Sequence, residues 1–344
     1  MHLIHAADRN RHMMTEKTPL LNLEKLYVQF NTPEGTVYAV NGVSFDIYEG
    51  DAVAIVGESG CGKSVCMMSI LGLIPIPPGE IPAGKALFED QDLLQLTEKE
   101  LEHFRGQKIG MIFQDPMTSL NPVLTLGRQL TEALIRHYRL SSEEAKQRAN
   151  ELMHLVGISD PERRFDNYPH QFSGGMRQRV MIAMMLACNP KLLIADEPTT
   201  ALDVTIQAQI VDLVLEIRQK IKMSLIWITH DLGVVANVAD RVLVMYGGTI
   251  VEEADVDLLY ENPQHPYTMA LLAALPKVNE RRADRLKAIP GAPPIIMSPL
   301  TGCPFVPRCE YALERCVQER PPLEMLSPHH KVACFVKPNS GDLQ

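Results

Sequence analysis

Several short stretches of this sequence carry residues whose types and spacing suit chemistry on a phosphate. Gly57 to Ser64 reads GESGCGKS and satisfies the pattern G-x-x-x-x-G-K-[ST]. Glycines in such a loop let backbone N–H groups turn inward around a phosphate, and the helix that follows adds its positive end. The candidate contacts are Gly57, Glu58, Ser59, Gly60, Cys61, Gly62, Lys63 and Ser64, with Val65 behind them. Lys63 would reach the β- and γ-phosphates, and Ser64 would ligate Mg²⁺. Downstream, LLIADEP places Asp196 at the end of an apolar run, with Glu197 next to it. Asp196 would hold the Mg²⁺ through water, and Glu197 could take a proton from an attacking water. Gln114, closing MIFQ, could contact the Mg²⁺ or that water, and His230, closing SLIWITH, could hydrogen-bond a γ-phosphate.

A further stretch, QFSGGMRQRV, puts Ser173, Gly174 and Gly175 ahead of an apolar-periodic run. It has the form of a second anion-holding helix start, distant from the first. Plainer readings exist for every one of these stretches: a glycine turn, an acidic turn after a strand, a loop polar residue, an ordinary helix cap. What weighs against them is position, since Gln114, Asp196 and His230 all sit at carboxyl ends of expected strands. That is the edge where open α/β sheets bind ligands.

The elements that must hold these residues follow from pattern. LLNLEKLYVQF and GVSFDIYEGDAVAIVG alternate and then turn continuously apolar, an antiparallel lead-in to a buried parallel strand. A helix runs from Lys63 to about Leu73, ended by Pro75, Pro77 and Pro78. KALFEDQDLL reads as a strand pair, KIGMIFQDP as a buried strand, and Leu126 to Met185 as mostly helical. Three strand–helix alternations then follow, beginning at KLLIADEP, SLIWITHD and RVLVMYGGTIVEE. The fold class is α/β: a mixed core sheet around the loop, an antiparallel β subdomain, a helical insertion at about 115–190 and a small loop-rich, Cys-containing C-terminal extension.

Three segments are expected: an extension over 1–20, a nucleotide-binding domain over 21–260 and a proline-rich, loop-rich module over 261–344. Met13 or Met14 could be the true start. The chain has 344 residues, 46% apolar and 22% charged, with a net charge of −9. That is ordinary globular composition, and its acidity leaves no electrostatic footprint for nucleic acid. No apolar run reaches the roughly 18 residues of a membrane span, and the charged N-terminus has no secretory pattern. A cytosolic chain that docks at a membrane fits both observations.

Cys303, Cys309, Cys316 and Cys334 crowd the C-terminal module, while Cys61, Cys66 and Cys188 are scattered. In a reducing compartment the crowding suggests a metal more than disulfides. An iron–sulfur cluster, zinc and free thiols are the three readings of that spacing, which lacks the C-x2-C pairs of zinc ribbons.

The order of GESGCGKS, Gln114, FSGGM, LLIADEP, the ALD ending at Asp203, and His230 resembles the ATP-binding cassette ATPases, the nucleotide-hydrolysing subunits of ABC transporters. The likeness covers about Leu21 to Glu253. It implies that two cassettes pack head to tail and that Ser173, Gly174 and Gly175 contact the γ-phosphate of the partner's ATP, with Asp203 at the interface. It also implies an aromatic ring on the adenine: Phe30 is the candidate, Tyr38 the alternative, and core packing a third reading. One departure concerns the signature, commonly L-S-G-G-Q, which here reads FSGGM. Met176 cannot donate the hydrogen bond of a Gln.

FQDPMTSLNPV, the long stretch from NYPHQFSGGM to DVTIQAQI, HPYTMALLAALP and GCPFVPRCEYALERC resemble the D-type ATPases of dipeptide/oligopeptide importers. This resemblance implies a [4Fe–4S] cluster at Cys303, Cys309, Cys316 and Cys334. It further implies a second ATPase subunit, two membrane permeases, an extracytoplasmic peptide-binding protein and a place on the cytoplasmic face of the inner membrane. A nickel importer is the near alternative. A soluble ABC ATPase working on DNA or ribosomes, and a non-hydrolysing regulatory subunit, are the rivals from other classes.

Overall fold

The computed structural model describes residues 18–114, 119–200, 202–275 and 289–336. Most of the expected N-terminal extension, Ala201 and the DPMT stretch after Gln114 lie outside these residues. Leu20 already belongs to the buried core.

Two sheets organise the chain. Strands Leu21–Thr32, Gly35–Ile47, Gly79–Phe88 and Gln91–Asp92 form an antiparallel sheet, in which Leu21–Thr32 lies between Gly35–Ile47 and Gly79–Phe88. The larger sheet has eight strands, in the order Glu324–Ser327, His330–Val332, Thr249–Asp255, Arg241–Tyr246, Ala52–Val56, Ser224–Thr229, Leu192–Asp196, Ile109–Ile112. From Arg241–Tyr246 to Ile109–Ile112 the pairing is parallel; the edge beginning at Thr249–Asp255 is antiparallel. AVAIV, LLIAD and SLIWIT are buried at every position, because parallel strands are covered on both faces.

Side chains of these strands alternate between the two faces of the sheet. Ile55, Leu192, Ile194, Ile226 and Ile228 face a cluster shared with the antiparallel sheet and helix Lys63–Ile70. Leu193, Ala195, Leu225 and Trp227 face a cluster formed with helices Leu126–Tyr138, Ser142–Leu155, Gly174–Leu186 and Val204–Ile221. The helical insertion therefore rests on the sheet through the helix that begins at the signature. Its turns are fixed locally: Ser141 and Glu144 form a capping box, with Ser141 Oγ 2.6 Å from Glu144 Oε2.

The C-terminal module is less irregular than its prolines suggest. Pro266–Ala273 is helical, and His330–Val332 pairs with Thr249–Asp255, so the module extends the core sheet beyond residue 260. Glu252, fully buried, ties it down by accepting from the Gln264 N–H at 2.7 Å, the His265 N–H at 2.9 Å and His330 Nε2 at 2.7 Å. A buried carboxylate with that many donors is compensated rather than orphaned. Among the described residues no helix is long and apolar enough to cross a membrane.

Candidate nucleotide site

Strand Ala52–Val56 delivers the chain to the loop, and helix Lys63–Ile70 leaves it. Gly57 and Gly62 have φ of 154° and 98°. A Cβ at Gly57 would lie 2.3 Å from the Met245 carbonyl, and one at Gly62 would lie 2.3 Å from the Ala39 carbonyl. Only glycine fits these positions, for conformation and for space. Lys63 is 4% exposed, and its ammonium donates to the carbonyls of Gly57 at 2.7 Å and Glu58 at 3.0 Å. The cation thus stands inside the ring of backbone it is expected to share with a phosphate.

Ser64 Oγ donates to Asp196 Oδ1 at 2.7 Å, across 132 residues of sequence. Burial pushes the Asp196 carboxyl above its ordinary value; the Ser64 hydroxyl opposes this, Glu197 adds to it and Lys63 opposes it. An anion so desolvated, beside a hydroxyl, suits a divalent cation, which would restore the charged form.

Glu197 is the hub of the neighbouring cluster. Its carboxylate accepts from Gln114 Nε2 at 3.2 Å and Thr200 Oγ1 at 2.9 Å, and lies 3.3 Å from His230 Nδ1. Its backbone sits at φ 46°, outside the ordinary range for a side-chain-bearing residue, and its N–H donates to the Ile228 carbonyl at 2.9 Å. The sheet holds that strained turn in place. The structure therefore brings Lys63, Ser64, Asp196, Glu197, Gln114 and His230 to one edge. Thr200 had no sequence signal beyond following Glu197 by one turn.

Ser173 caps the helix Gly174–Leu186, accepting from Met176 N–H at 3.4 Å. Among the described residues its hydrogen bonds stay within that turn, and Ser173 and Gly174 are exposed. Gly175 faces Ile206, so a Cβ there would be 2.8 Å from Ile206 Cγ2. Asp203 caps the next helix, accepting from the Ile206 N–H at 3.0 Å. Phe30 packs, partly buried, against the core under the antiparallel sheet, near Gly79. Tyr38 lines a cavity of about 530 Å³ with Tyr27, Val40, Asn41 and Arg320.

The four C-terminal cysteines share one module, where the Cys334 thiol feels the charges of the other three. Burial pushes Cys303 up to about 11 and Cys334 up to about 12. N–H groups two residues on, from Phe305, Tyr311 and Val336, act on the sulfurs of Cys303, Cys309 and Cys334 in the opposite direction. Among the described residues, however, no group of three or more His, Cys, Asp or Glu is arranged to hold a metal ion. The implied cluster is therefore not borne out by this geometry, although the donor set has the right chemistry. Partial burial of Cys303, Cys309 and Cys334 favours the protonated form of those three thiols.

Phosphate loop, buried acidic strand end and doubly walled sheet together define a nucleotide-binding cassette. Comparison with known proteins agrees. The model for "ABC transporter" matches residues 40–200, and that for "Oligopeptide/dipeptide transporter, C-terminal region" matches residues 251–316. The chain is 54% identical over 323 residues to the oligopeptide transport ATP-binding protein OppD of Bacillus subtilis, covering 94% of this chain and 90% of that one. It is 50% identical over 315 residues to the dipeptide transport ATP-binding protein DppD of Escherichia coli, covering 92% and 96%. Among solved structures, the dimeric post-hydrolysis state of the ATP-binding cassette MJ0796 bound to ADP and Pi aligns with a TM-score of 0.62 at 31% identity. That match covers 69% of this chain and 98% of MJ0796. The chain belongs to the ABC transporter family, in the branch of oligopeptide and dipeptide transport ATP-binding proteins.

Proposed function

We propose that this chain is the ATP-hydrolysing subunit of an ABC importer for di- and oligopeptides. The observation that carries the reading is the Glu197 carboxylate, held by Gln114, Thr200 and His230 beside the Ser64–Asp196 pair. In this reading the loop N–H groups and Lys63 bind the β- and γ-phosphates. Phe30 stacks on the adenine, with Tyr38 as the alternative. Ser64, Gln114 and Asp196 would hold the Mg²⁺, which when bound neutralises charge on the phosphates. Water attacks the γ-phosphorus, its proton passes to Glu197, and the bond to the β-phosphate oxygen breaks to release ADP. His230 stabilises the charge on the transferring group.

Ser173, Gly174 and Gly175 serve a partner's ATP, with Asp203 beside them at the seam. The exposure of Ser173 and Gly174, and a Ser173 hydroxyl engaged within its own turn, support that role. The partner is a sister ATPase subunit. Two membrane permeases and an extracytoplasmic peptide-binding protein complete the assembly, which holds this chain at the cytoplasmic face of the inner membrane. The names of the relatives support peptides as cargo, over nickel. The domain reading is a cassette over 21–260 with the extension at 261–344 built onto its sheet. The finer reading of the extension, a [4Fe–4S] cluster on Cys303, Cys309, Cys316 and Cys334, rests on the four thiols and on the N–H groups that face three of them.

The test is the assembled complex in proteoliposomes. Peptide-loaded binding protein should stimulate ATP hydrolysis, and Glu197→Gln should abolish that stimulation. Stimulation by a nickel-loaded binding protein alone, or co-purification with ribosomes in place of permeases, would overturn the assignment. Iron and sulfide analysis of anaerobically prepared protein decides the cluster: a colourless, zinc-loaded protein removes it.

A further inference from the structure

Glu58 is the second residue of the phosphate loop, and both of its ends are held from beyond the cassette core. Its N–H donates to the Tyr267 hydroxyl at 2.8 Å, and Tyr267 is fully buried. Its carboxylate receives both arms of Arg308, Nη1 to Oε2 at 2.6 Å and Nη2 to Oε1 at 3.0 Å. The Arg308 side chain is 5% exposed. Its remaining donors are also engaged: Nε on the Pro290 carbonyl at 2.7 Å, and Nη1 on the Tyr246 hydroxyl at 3.2 Å. The guanidinium lies 5.8 Å from the centre of the Tyr246 ring and 5.9 Å from that of Phe305.

A bidentate pair with every donor satisfied fixes angle as well as distance. The constraint runs on into the loop, because the Glu58 carbonyl accepts from Lys63 Nζ at 3.0 Å and from the Cys61 N–H at 3.3 Å. Arg308, Glu58 and Lys63 are thus consecutive links, and Arg308 immediately precedes Cys309 in the cysteine module. The residue that grips the loop is supplied by a segment 250 positions downstream.

We propose that Arg308 is a positioning residue of the ATP site: the C-terminal module sets the shape of the phosphate loop through the Arg308–Glu58 fork, with Tyr267 as the second clamp. This rests on the reading of the loop as the ATP site. A preformed loop binds a triphosphate without first ordering itself, so the fork acts on nucleotide affinity more than on the bond-breaking step.

The experiment measures ATP hydrolysis and binding of a fluorescent ATP analogue by the assembled complex. Wild-type binding tests the underlying reading separately. Arg308→Gln is expected to raise KM about tenfold with kcat held within about threefold, and Glu58→Gln to do the same from the loop side. The double variant should be no worse than either single one, since each removes the same fork. Arg308→Lys should restore KM only in part, because an ammonium cannot form the fork. An unchanged KM in either single variant overturns the proposal, as do shifts that multiply in the double variant. If Arg308→Gln does not assemble, Glu58→Gln and Arg308→Lys decide by the same KM and kcat criteria.

Discussion

His230 Nδ1 lies 3.3 Å from Glu197 Oε1, and the other oxygen of that carboxylate takes hydrogen bonds from Gln114 and Thr200. Three strand ends and a tight turn therefore converge on one acid. In the proposed mechanism a carboxylate so placed would accept a proton from a water held at the γ-phosphate. Replacing Glu197 by Gln keeps the size and the contacts but removes the basicity. Turnover is expected to fall by at least about a hundredfold, with ATP affinity retained. Single-turnover hydrolysis beside equilibrium nucleotide binding checks this. Near-normal turnover would remove Glu197 from the proton-transfer role.

Lys63 gives a contrasting expectation. Its ammonium is buried and, among the described residues, bonded only to loop carbonyls and, at 3.8 Å, to the Cys61 sulfur. Outside the loop it acts on Asp196, by charge. Lys63→Ala should weaken ATP binding by at least about tenfold and shift the melting temperature of nucleotide-free protein by only a few degrees. Isothermal titration and a thermal melt on the same sample separate the two. Full-strength ATP binding by the variant would end the assignment of Lys63 to the phosphates.

Much of this site was legible in the sequence because its parts are local. A phosphate loop is one strand, one turn and one helix start, and each catalytic candidate follows a continuous apolar run. The Glu58 clamp was not legible, since Arg308 and Tyr267 reach it across 250 and 209 residues. Nor were the added edge strands, EMLS and HKV, which are too short for alternation to register. The prolines of the module correctly indicated loops but hid its continuity with the sheet. The cysteines were legible as a group, yet spacing alone carries no information about whether four sulfurs point to one centre.

Ser173 offers a test of the two-chain site. It is exposed, and among the described residues its hydroxyl bonds only the Met176 N–H. Ser173→Arg should leave ATP binding to this chain's loop unchanged while lowering turnover of the assembled complex by at least about tenfold. Ser173→Thr, which keeps the cap, should behave nearly as wild type. Photo-crosslinking of an ATP analogue gives the occupancy of each loop. Loss of binding at this chain's own loop in Ser173→Arg would contradict the division of labour.

His265 makes the module's attachment sensitive to acid. The ring is 1% exposed, and its Nδ1 accepts the Tyr267 N–H at 3.1 Å, which requires the neutral form. Burial pushes its pKa down to about 4, against an ordinary value of 6.5, with Glu252 opposing the shift. Unfolded chains take up this proton as the pH falls below 6.5, whereas the folded protein refuses it until near 4. Stability is therefore lost across that window, by about 2 kcal/mol at pH 5 from this group alone. Glu252, the charged group that acts on it, is paired with His330 and is present in both proteins compared. His265→Asn keeps an acceptor for the Tyr267 N–H but cannot titrate. Denaturant midpoints at pH 7 and pH 5 should converge in this variant by about the same 2 kcal/mol relative to wild type. An undiminished acid loss in His265→Asn would assign the effect to other groups.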